Sequence, residues 1–173
     1  MRHSPSRRNL LVFLITTAAV IALDQVIKAL VVGFLAPGES VQAIPHVLRI
    51  TNLNNPGAAF GLLKGSGGVI FLSAIVIVVL SLVWFYRARH KKGLVSFIAL
   101  GLMIGGAVSN LADRVFKGSV VDYLDFGWWP VFNAADVAIV CGVIIILVVM
   151  IVDLYRGEEY DGSRHEGLEQ EVE

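Results

Sequence analysis

The sequence has little charge and almost no cysteine. Only 16% of its 173 residues are charged and 56% are hydrophobic, whereas an ordinary soluble domain carries about a quarter charged residues. Its one cysteine, Cys141, excludes an internal disulfide and any metal site built from several cysteines. The compact basic cluster at 87–92 is short and lies against an apolar run, so we expect no nucleic-acid partner. These features indicate an integral membrane protein.

Four apolar runs predict four transmembrane helices, at about residues 10–35, 69–86, 94–115 and 132–155. At about 1.5 Å per residue, a helix of about 20 residues crosses a hydrocarbon core of about 30 Å. The predicted fold class is therefore an all-α membrane protein, a four-helix bundle that forms one domain over 1–173. The lysine and arginine residues before the first run and after the second place both termini in the cytoplasm. The acidic segment 156–173 would then be a solvated and largely disordered cytoplasmic tail.

Two segments between the runs are predicted to lie outside the membrane. Segment 36–68 is rich in proline and glycine, and the β-branched residues at 46–53 indicate a strand, so we expect a small extracytoplasmic β-sheet there. His46 would be an exposed strand residue and not a metal ligand. Segment 116–131 is predicted to be an outer loop that closes over the site, with Asp125 as a loop residue and its two tryptophans as interface anchors.

Polar residues from several segments fall at one predicted membrane level, although a charge at the centre of a membrane helix costs about 2.5–3.5 kcal/mol. Asp24 and Lys28 lie one turn apart, either as a neutralising pair with Lys28 reaching outward or as contacts to substrate or lipid headgroups. Asn133 and Asp136 have the spacing of a capping box, and capping alone would explain them. The residues at this level are Asp24, Asn55, Asn110, Arg114, Asp122 and Asp136.

Asp122 and Asp136 stand on either side of the tryptophan-rich segment and predict a hydrolytic site. Two close carboxylates share one proton and titrate together. The ionised acid can take a proton from water, and the protonated acid can polarise a carbonyl group and later protonate the leaving nitrogen. We expect Asp136 to start ionised, beside a helix N-terminus, and Asp122 to start protonated. This chemistry needs neither a metal nor another cofactor.

The chain resembles the bacterial lipoprotein signal peptidases (signal peptidase II) from about residue 23 to residue 153. Five motifs carry the resemblance, at 24–28 (DQVIK), 55–60 (NPGAAF), 105–114 (GGAVSNLADR), 120–123 (VVDY) and 132–136 (FNAAD). The resemblance implies a catalytic dyad of Asp122 and Asp136. Asp113 would have a structural role. The supporting and substrate-contacting residues implied are Asp24, Lys28, Asn55, Gly57, Asn110, Arg114 and Asn133.

The same resemblance implies an intramembrane aspartic endopeptidase that removes the signal peptide of prolipoproteins before a diacylglyceryl-modified cysteine. The enzyme would act as a monomer in the bacterial inner membrane, in contact with lipid, with its active site at the outer face. The chain departs from the family pattern at Ser109, Tyr123 and Val137. Two other classes remain open on the residues alone. They are a small transporter or ion-conducting protein with an aspartate relay, and a structural subunit with polar contacts between its helices.

Overall fold

The computed structural model describes residues 6–56, 79 and 93–170, and the backbone alone from 156 onward. The helices are α1 (Arg7–Phe34), α2 (Leu94–Lys117) and α3 (Ala134–Gln170), and the strands are β1 (Ser40–Ile44), β2 (Leu48–Asn55) and β3 (Val120–Asp125). Within the described residues, three segments are long and apolar enough to cross a membrane, namely Arg7–Phe34, Leu94–Lys117 and Ala134–Tyr155. They correspond to the first, third and fourth predicted spans. The span predicted at 69–86 lies, except for Val79, outside the described residues.

Helix α2 packs against both α1 and α3 through glycine, the residue that allows the closest helix contacts in a membrane. A Cβ atom at Gly101 would lie 2.7 Å from the Cβ of Thr16 on α1, and one at Gly105 would lie 2.9 Å from the carbonyl oxygen of Thr17. On the other side, a Cβ atom at Gly106 would collide with the backbone of Ala135 on α3. Since no larger residue fits at these positions, the three helices approach each other at backbone distance.

Among the described residues the predicted small sheet is present as three antiparallel strands in the order β1-β2-β3. The strand predicted at 46–53 begins two residues later, at Leu48. His46 is exposed, as expected, but it adopts a positive φ of 60° in the turn between β1 and β2. The third strand lies inside the segment predicted to be a loop, 116–131. The six residues of β3 alternate little between polar and apolar, so the sequence gives no period-two signal for a strand. Pairing with β2 supplies the backbone hydrogen bonds that make them one.

Asp125 ends β3 and is not a loop residue, which corrects the sequence-based interpretation. Its carboxylate is buried and accepts from Nε and Nη2 of Arg49, at 3.0 and 2.7 Å, and from the hydroxyl of Thr51 at 3.1 Å. It also accepts the backbone N–H of Gly127 at 2.7 Å. Burial acts to raise the pKa of Asp125, but these hydrogen bonds and the arginine charge outweigh burial and lower the pKa. The start of the tryptophan-rich segment is thus anchored to β2.

Helix α3 continues beyond the predicted span as far as Gln170. The expectation that the segment from residue 156 is largely disordered is therefore wrong for the backbone of residues 156–170. Extending an existing helix adds about one hydrogen bond for each residue ordered and requires no new nucleation, so a polar segment can follow an apolar helix without a break.

Candidate active site

Asp122 lies in the middle of β3, and its carboxylate is held by two side-chain amides. The residue is buried. Oδ2 accepts from Nδ2 of Asn55 on β2 at 2.8 Å, and Oδ1 accepts from Nδ2 of Asn133 at 2.7 Å. One donor comes from β2 and the other from the residue before α3, so both fix the position of the carboxylate.

Asp136 lies in the first turn of α3 and is held by a reciprocal cap. Its backbone N–H donates to Oδ1 of Asn133 at 3.0 Å, and the backbone N–H of Asn133 donates to Oδ2 of Asp136 at 3.3 Å. The capping-box spacing seen in the sequence therefore forms a real cap. Oδ1 of Asp136 accepts in addition from Nδ2 of Asn110 on α2, at 2.8 Å.

Asn133 joins the two carboxylates, because its amide nitrogen binds Asp122 while its backbone and amide oxygen bind Asp136. The chain between the two acids is folded back on itself by paired hydrogen bonds. The N–H of Leu124 donates to the carbonyl of Phe132 at 2.8 Å, and the N–H of Phe132 donates to the carbonyl of Leu124 at 3.2 Å. Residues 14 positions apart are brought to a single site in this way.

Beneath this site lies a buried group of charges between α1 and α2. Nζ of Lys28 lies 2.6 Å from Asp24, 2.7 Å from Asp113 and 2.9 Å from Oδ1 of Asn110. Asp24 and Lys28 are both fully buried. The pair predicted from the sequence is thus present, but Lys28 does not reach outward to the membrane surface. It is directed inward because two carboxylates and an amide satisfy its ammonium group there.

The fold clearly raises the pKa of Asp122, which lies outside the membrane helices. Its pKa is raised to about 6, with burial as the largest cause. Within that value the charge of Asp136 acts to raise the pKa, while the hydrogen bonds from Asn55 and Asn133 act to lower it. Asp122 is consequently half protonated near pH 6 and still about one-tenth protonated at pH 7, so it can serve as a general acid.

The structure brings together most of the residues predicted from the sequence. Arg114 lies one helical turn beyond Asn110, and its Nη1 donates to the carbonyl oxygen of Asn110 at 3.4 Å. Gly57 lies outside the described residues. The predicted residues that the hydrogen bonds above connect are Asp24, Lys28, Asn55, Asn110, Arg114, Asp122, Asn133 and Asp136.

Three residues next to the predicted ones contribute contacts that the sequence analysis did not assign. Oγ of Ser109 donates to Oδ2 of Asp24 at 2.7 Å and accepts from Nε2 of Gln25 at 3.0 Å. Gln25 also donates to Asp113 at 3.1 Å. The hydroxyl oxygen of Tyr123 accepts the N–H of Ala134 at 3.0 Å. A polar side chain inside an apolar run was a usable signal for Gln25, whereas Tyr123 carries no signal of its own.

The fold and the site define a class of protein: a polytopic membrane protein with two acidic side chains joined by one amide at the end of its apolar helices. Such a pair can exchange protons with water and with a leaving group, as hydrolysis requires. Comparison with known proteins leads to the same class. The sequence profile of the signal peptidase (SPase) II family matches residues 16–152, and the chain belongs to this family.

Individual relatives match along most of their length. The chain is 42% identical over 139 residues to a lipoprotein signal peptidase of Syntrophomonas wolfei, covering 80% of this chain and 92% of the relative. It is 38% identical over 164 residues to one of Rhodococcus jostii, covering 91% and 79%. A bacterial membrane enzyme solved by the in meso method at 1.9 Å superimposes with a TM-score of 0.65 at 31% identity, covering 87% of this chain and 97% of that one.

Membership of this family makes the protein a peptidase of the bacterial inner membrane. The transporter or ion-conducting alternative is not favoured, because the family and the relatives are peptidases over most of the chain.

Proposed function

We propose that this protein removes the signal peptide of prolipoproteins by hydrolysis before a diacylglyceryl-modified cysteine, with Asp122 and Asp136 as the catalytic dyad. The single observation that carries the dyad is Asn133, which hydrogen bonds to both carboxylates. The relatives named as lipoprotein signal peptidases support the substrate class. Asn55 and Asn110 hold the two acids, and Arg114 beside Asn110 is proposed, with Gly57, to contact the substrate.

In the proposed reaction Asp136 starts as the carboxylate and Asp122 as the acid. Each carboxylate accepts two N–H donors, so hydrogen bonding does not decide between them. The N-terminus of α3 favours negative charge on Asp136, and the pKa of about 6 allows Asp122 to hold the proton.

Proton transfers would then follow the positions of the two acids. Asp136 takes a proton from water as the water oxygen attacks the scissile carbonyl carbon, and Asp122 donates its proton to the carbonyl oxygen. As the C–N bond breaks, the leaving nitrogen takes the proton held by Asp136. The carbonyl forms again as its hydroxyl proton returns to Asp122, which restores the starting state.

The finer arrangement in the membrane belongs to the same proposal. Four spans, with 69–86 as the second, would place both termini in the cytoplasm and the dyad at the outer face. The segment 126–131, anchored at its start by Asp125, would cover the site, and the enzyme would act as a monomer in contact with lipid. A scissile bond beside a membrane-embedded signal helix lies at this level, which supports the arrangement.

The test is cleavage of a diacylglyceryl-modified precursor and of its unlipidated twin by purified protein. Asp122→Asn and Asp136→Asn should each lower kcat by at least about 10³-fold, since each removes a proton-transfer group. The matched control is Asp153→Asn, at an exposed position near the other end of the α3 span, which should cleave like the unchanged protein.

Two results would contradict the proposal. Cleavage retained by either dyad variant would remove that aspartate from the reaction. Equal processing of the lipidated and unlipidated precursors would remove the diacylglyceryl group from recognition while leaving the dyad in place.

A further inference from the structure

The first turn of α3 carries Asp136. The backbone N–H groups of this turn need hydrogen-bond acceptors from outside the helix. A helix leaves its first four N–H groups without partners inside the helix. Two of the four are met by the reciprocal cap, since the N–H of Asn133 donates to Oδ2 of Asp136 at 3.3 Å and the N–H of Asp136 donates to Oδ1 of Asn133 at 3.0 Å. The two between them, of Ala134 and Ala135, must find acceptors elsewhere.

Those two acceptors come from distant parts of the chain. The N–H of Ala134 donates to the hydroxyl oxygen of Tyr123 on β3 at 3.0 Å. The N–H of Ala135 donates to Oδ1 of Asp24 on α1 at 3.1 Å. The start of α3 is therefore held at two adjacent peptide groups by side chains from a strand and from a helix.

Tyr123 is itself held firmly. Its side chain is 2% exposed and packs in a core cluster with Val31, Leu35 and Val121. Its backbone N–H donates to the carbonyl oxygen of Phe132 at 3.0 Å. A hydroxyl fixed at the end of a buried ring is a rigid acceptor, because the ring has only two torsions and both are restricted by packing.

We propose that Tyr123 is a positioning residue for the dyad: its hydroxyl sets the place of Asp136 relative to Asp122 by holding the first N–H of α3. Tyr123 is the chain neighbour of Asp122, and Ala134 lies two residues before Asp136. The hydrogen bond between Tyr123 and Ala134 thus ties the backbone beside one acid to the backbone beside the other. The inference rests on the proposed function, since it assigns a role to the same site.

The proton of the Tyr123 hydroxyl is held more tightly than that of an ordinary tyrosine. Burial is the largest cause, and with the charges of Asp24, Asp136 and Asp122 it raises the pKa of Tyr123 to about 12, although the hydrogen bond from Ala134 acts to lower it. Tyr123 therefore stays neutral at neutral pH and serves the dyad as an acceptor from Ala134, not as a proton donor in the reaction.

The first experiment is Tyr123→Phe, which deletes one oxygen atom and keeps the ring in its cluster. We expect kcat on the lipidated precursor to fall by roughly three- to tenfold, as for the loss of one buried hydrogen bond. KM should change by less than about twofold, because the side chain of Tyr123 is buried and points to the face of β3 opposite that of Asp122. Tyr155→Phe is the matched control, since Tyr155 is exposed near the other end of the α3 span, and it should leave kcat unchanged.

The second experiment removes the donor as well. Proline is well tolerated at the first position of a helix, where Ala134 lies, and it has no N–H. If this hydrogen bond positions the dyad, Ala134→Pro alone should lower kcat by a factor similar to that of Tyr123→Phe, and the double variant should be about as active as either single variant, because the bond is already absent. A loss that came only from packing at Tyr123 would instead multiply with the loss caused by Ala134→Pro.

Three results would overturn the inference. They are an unchanged kcat in Tyr123→Phe, a raised KM at constant kcat, and a double variant whose loss of kcat equals the product of the two single losses. None of them touches the proposed function as long as Asp122→Asn and Asp136→Asn are inactive. Conversely, an active Asp122→Asn or Asp136→Asn variant would overturn the proposed dyad whatever Tyr123→Phe does.

Discussion

The side-chain amide of Asn133 donates to Oδ1 of Asp122 at 2.7 Å. Asn133 is also the residue that caps the helix carrying Asp136, through two reciprocal hydrogen bonds at 3.0 and 3.3 Å. A residue that in isolation would be only a helix cap therefore also sets the spacing of two acids. The same asparagine thus serves both the helix start and the acid pair.

Asn133→Ala should lower kcat strongly and lower the stability of the protein only modestly. Loss of the cap costs about 1 kcal/mol of stability, but a shift of about 1 Å between reacting groups costs about 100-fold in rate. We expect kcat to fall by about 100-fold with a modest drop in thermal stability in detergent. Asn54→Ala, at an exposed β2 position, is the matched control and should retain its kcat. A normal kcat in Asn133→Ala would contradict the bridging role.

Lys28→Met should destabilise the protein strongly. The change leaves the carboxylates of Asp24 and Asp113 buried without the ammonium group that lies 2.6 and 2.7 Å from them. Breaking a buried pair costs about 3–5 kcal/mol. Lys117→Met is the control, because Lys117 is 49% exposed and its bond to Asp113 is worth less than about 1 kcal/mol. Denaturation midpoints in detergent should separate the two variants, and equal midpoints would argue against a buried ionic group.

Gly106→Ala should separate α2 from α3. The added Cβ would collide with the backbone of Ala135, next to Asp136, and backbone cannot move aside as a flexible side chain can. We expect a loss of about 1–3 kcal/mol of stability and a large fall in kcat. Gly33→Ala, in α1, meets nothing within 4 Å and should be neutral or stabilising by up to about 1 kcal/mol. Similar behaviour of the two variants would rule out this close contact.

The pH profile of kcat/KM should reflect the raised pKa of Asp122. Its folded-state pKa of about 6 lies above its ordinary value of 3.8, so the protonated form is favoured by the fold and is lost as the pH rises through about 6. If that form is the general acid, kcat/KM should fall about tenfold for each pH unit above about 6. A profile flat from pH 6 to 8 would contradict the assignment of Asp122 as the acid.

The same shift predicts an effect on stability with a definite sign. The stability that protonated Asp122 contributes is complete below about pH 3.8 and is lost as the pH rises through about 6. Asp122→Asn cannot ionise, so the variant should gain stability relative to the unchanged protein between pH 4 and pH 8, by about 1–3 kcal/mol. Parallel stability curves for the two proteins would contradict this.

The sequence by itself determined the chemistry and the medium. In the part of the chain that the structure describes, the apolar runs identified three helices that are long enough to cross a membrane, since hydropathy is a local property. The spacing of Asn133 and Asp136 indicated a helix cap, which depends on residues three positions apart. The acids Asp122 and Asp136 were recognised because charge is rare beside such apolar runs.

Only the tertiary structure decided where several polar side chains point. Lys28 is directed inward because Asp113 and Asn110, more than 80 positions away, satisfy its ammonium group. Asp24 caps a helix whose N–H lies 111 positions further along the chain. β3 is a strand because β2 pairs with it, and Asp125 is buried because Arg49 neutralises it. Burial of a polar group depends on partners that the fold brings together, and sequence patterns report only what neighbours along the chain can do.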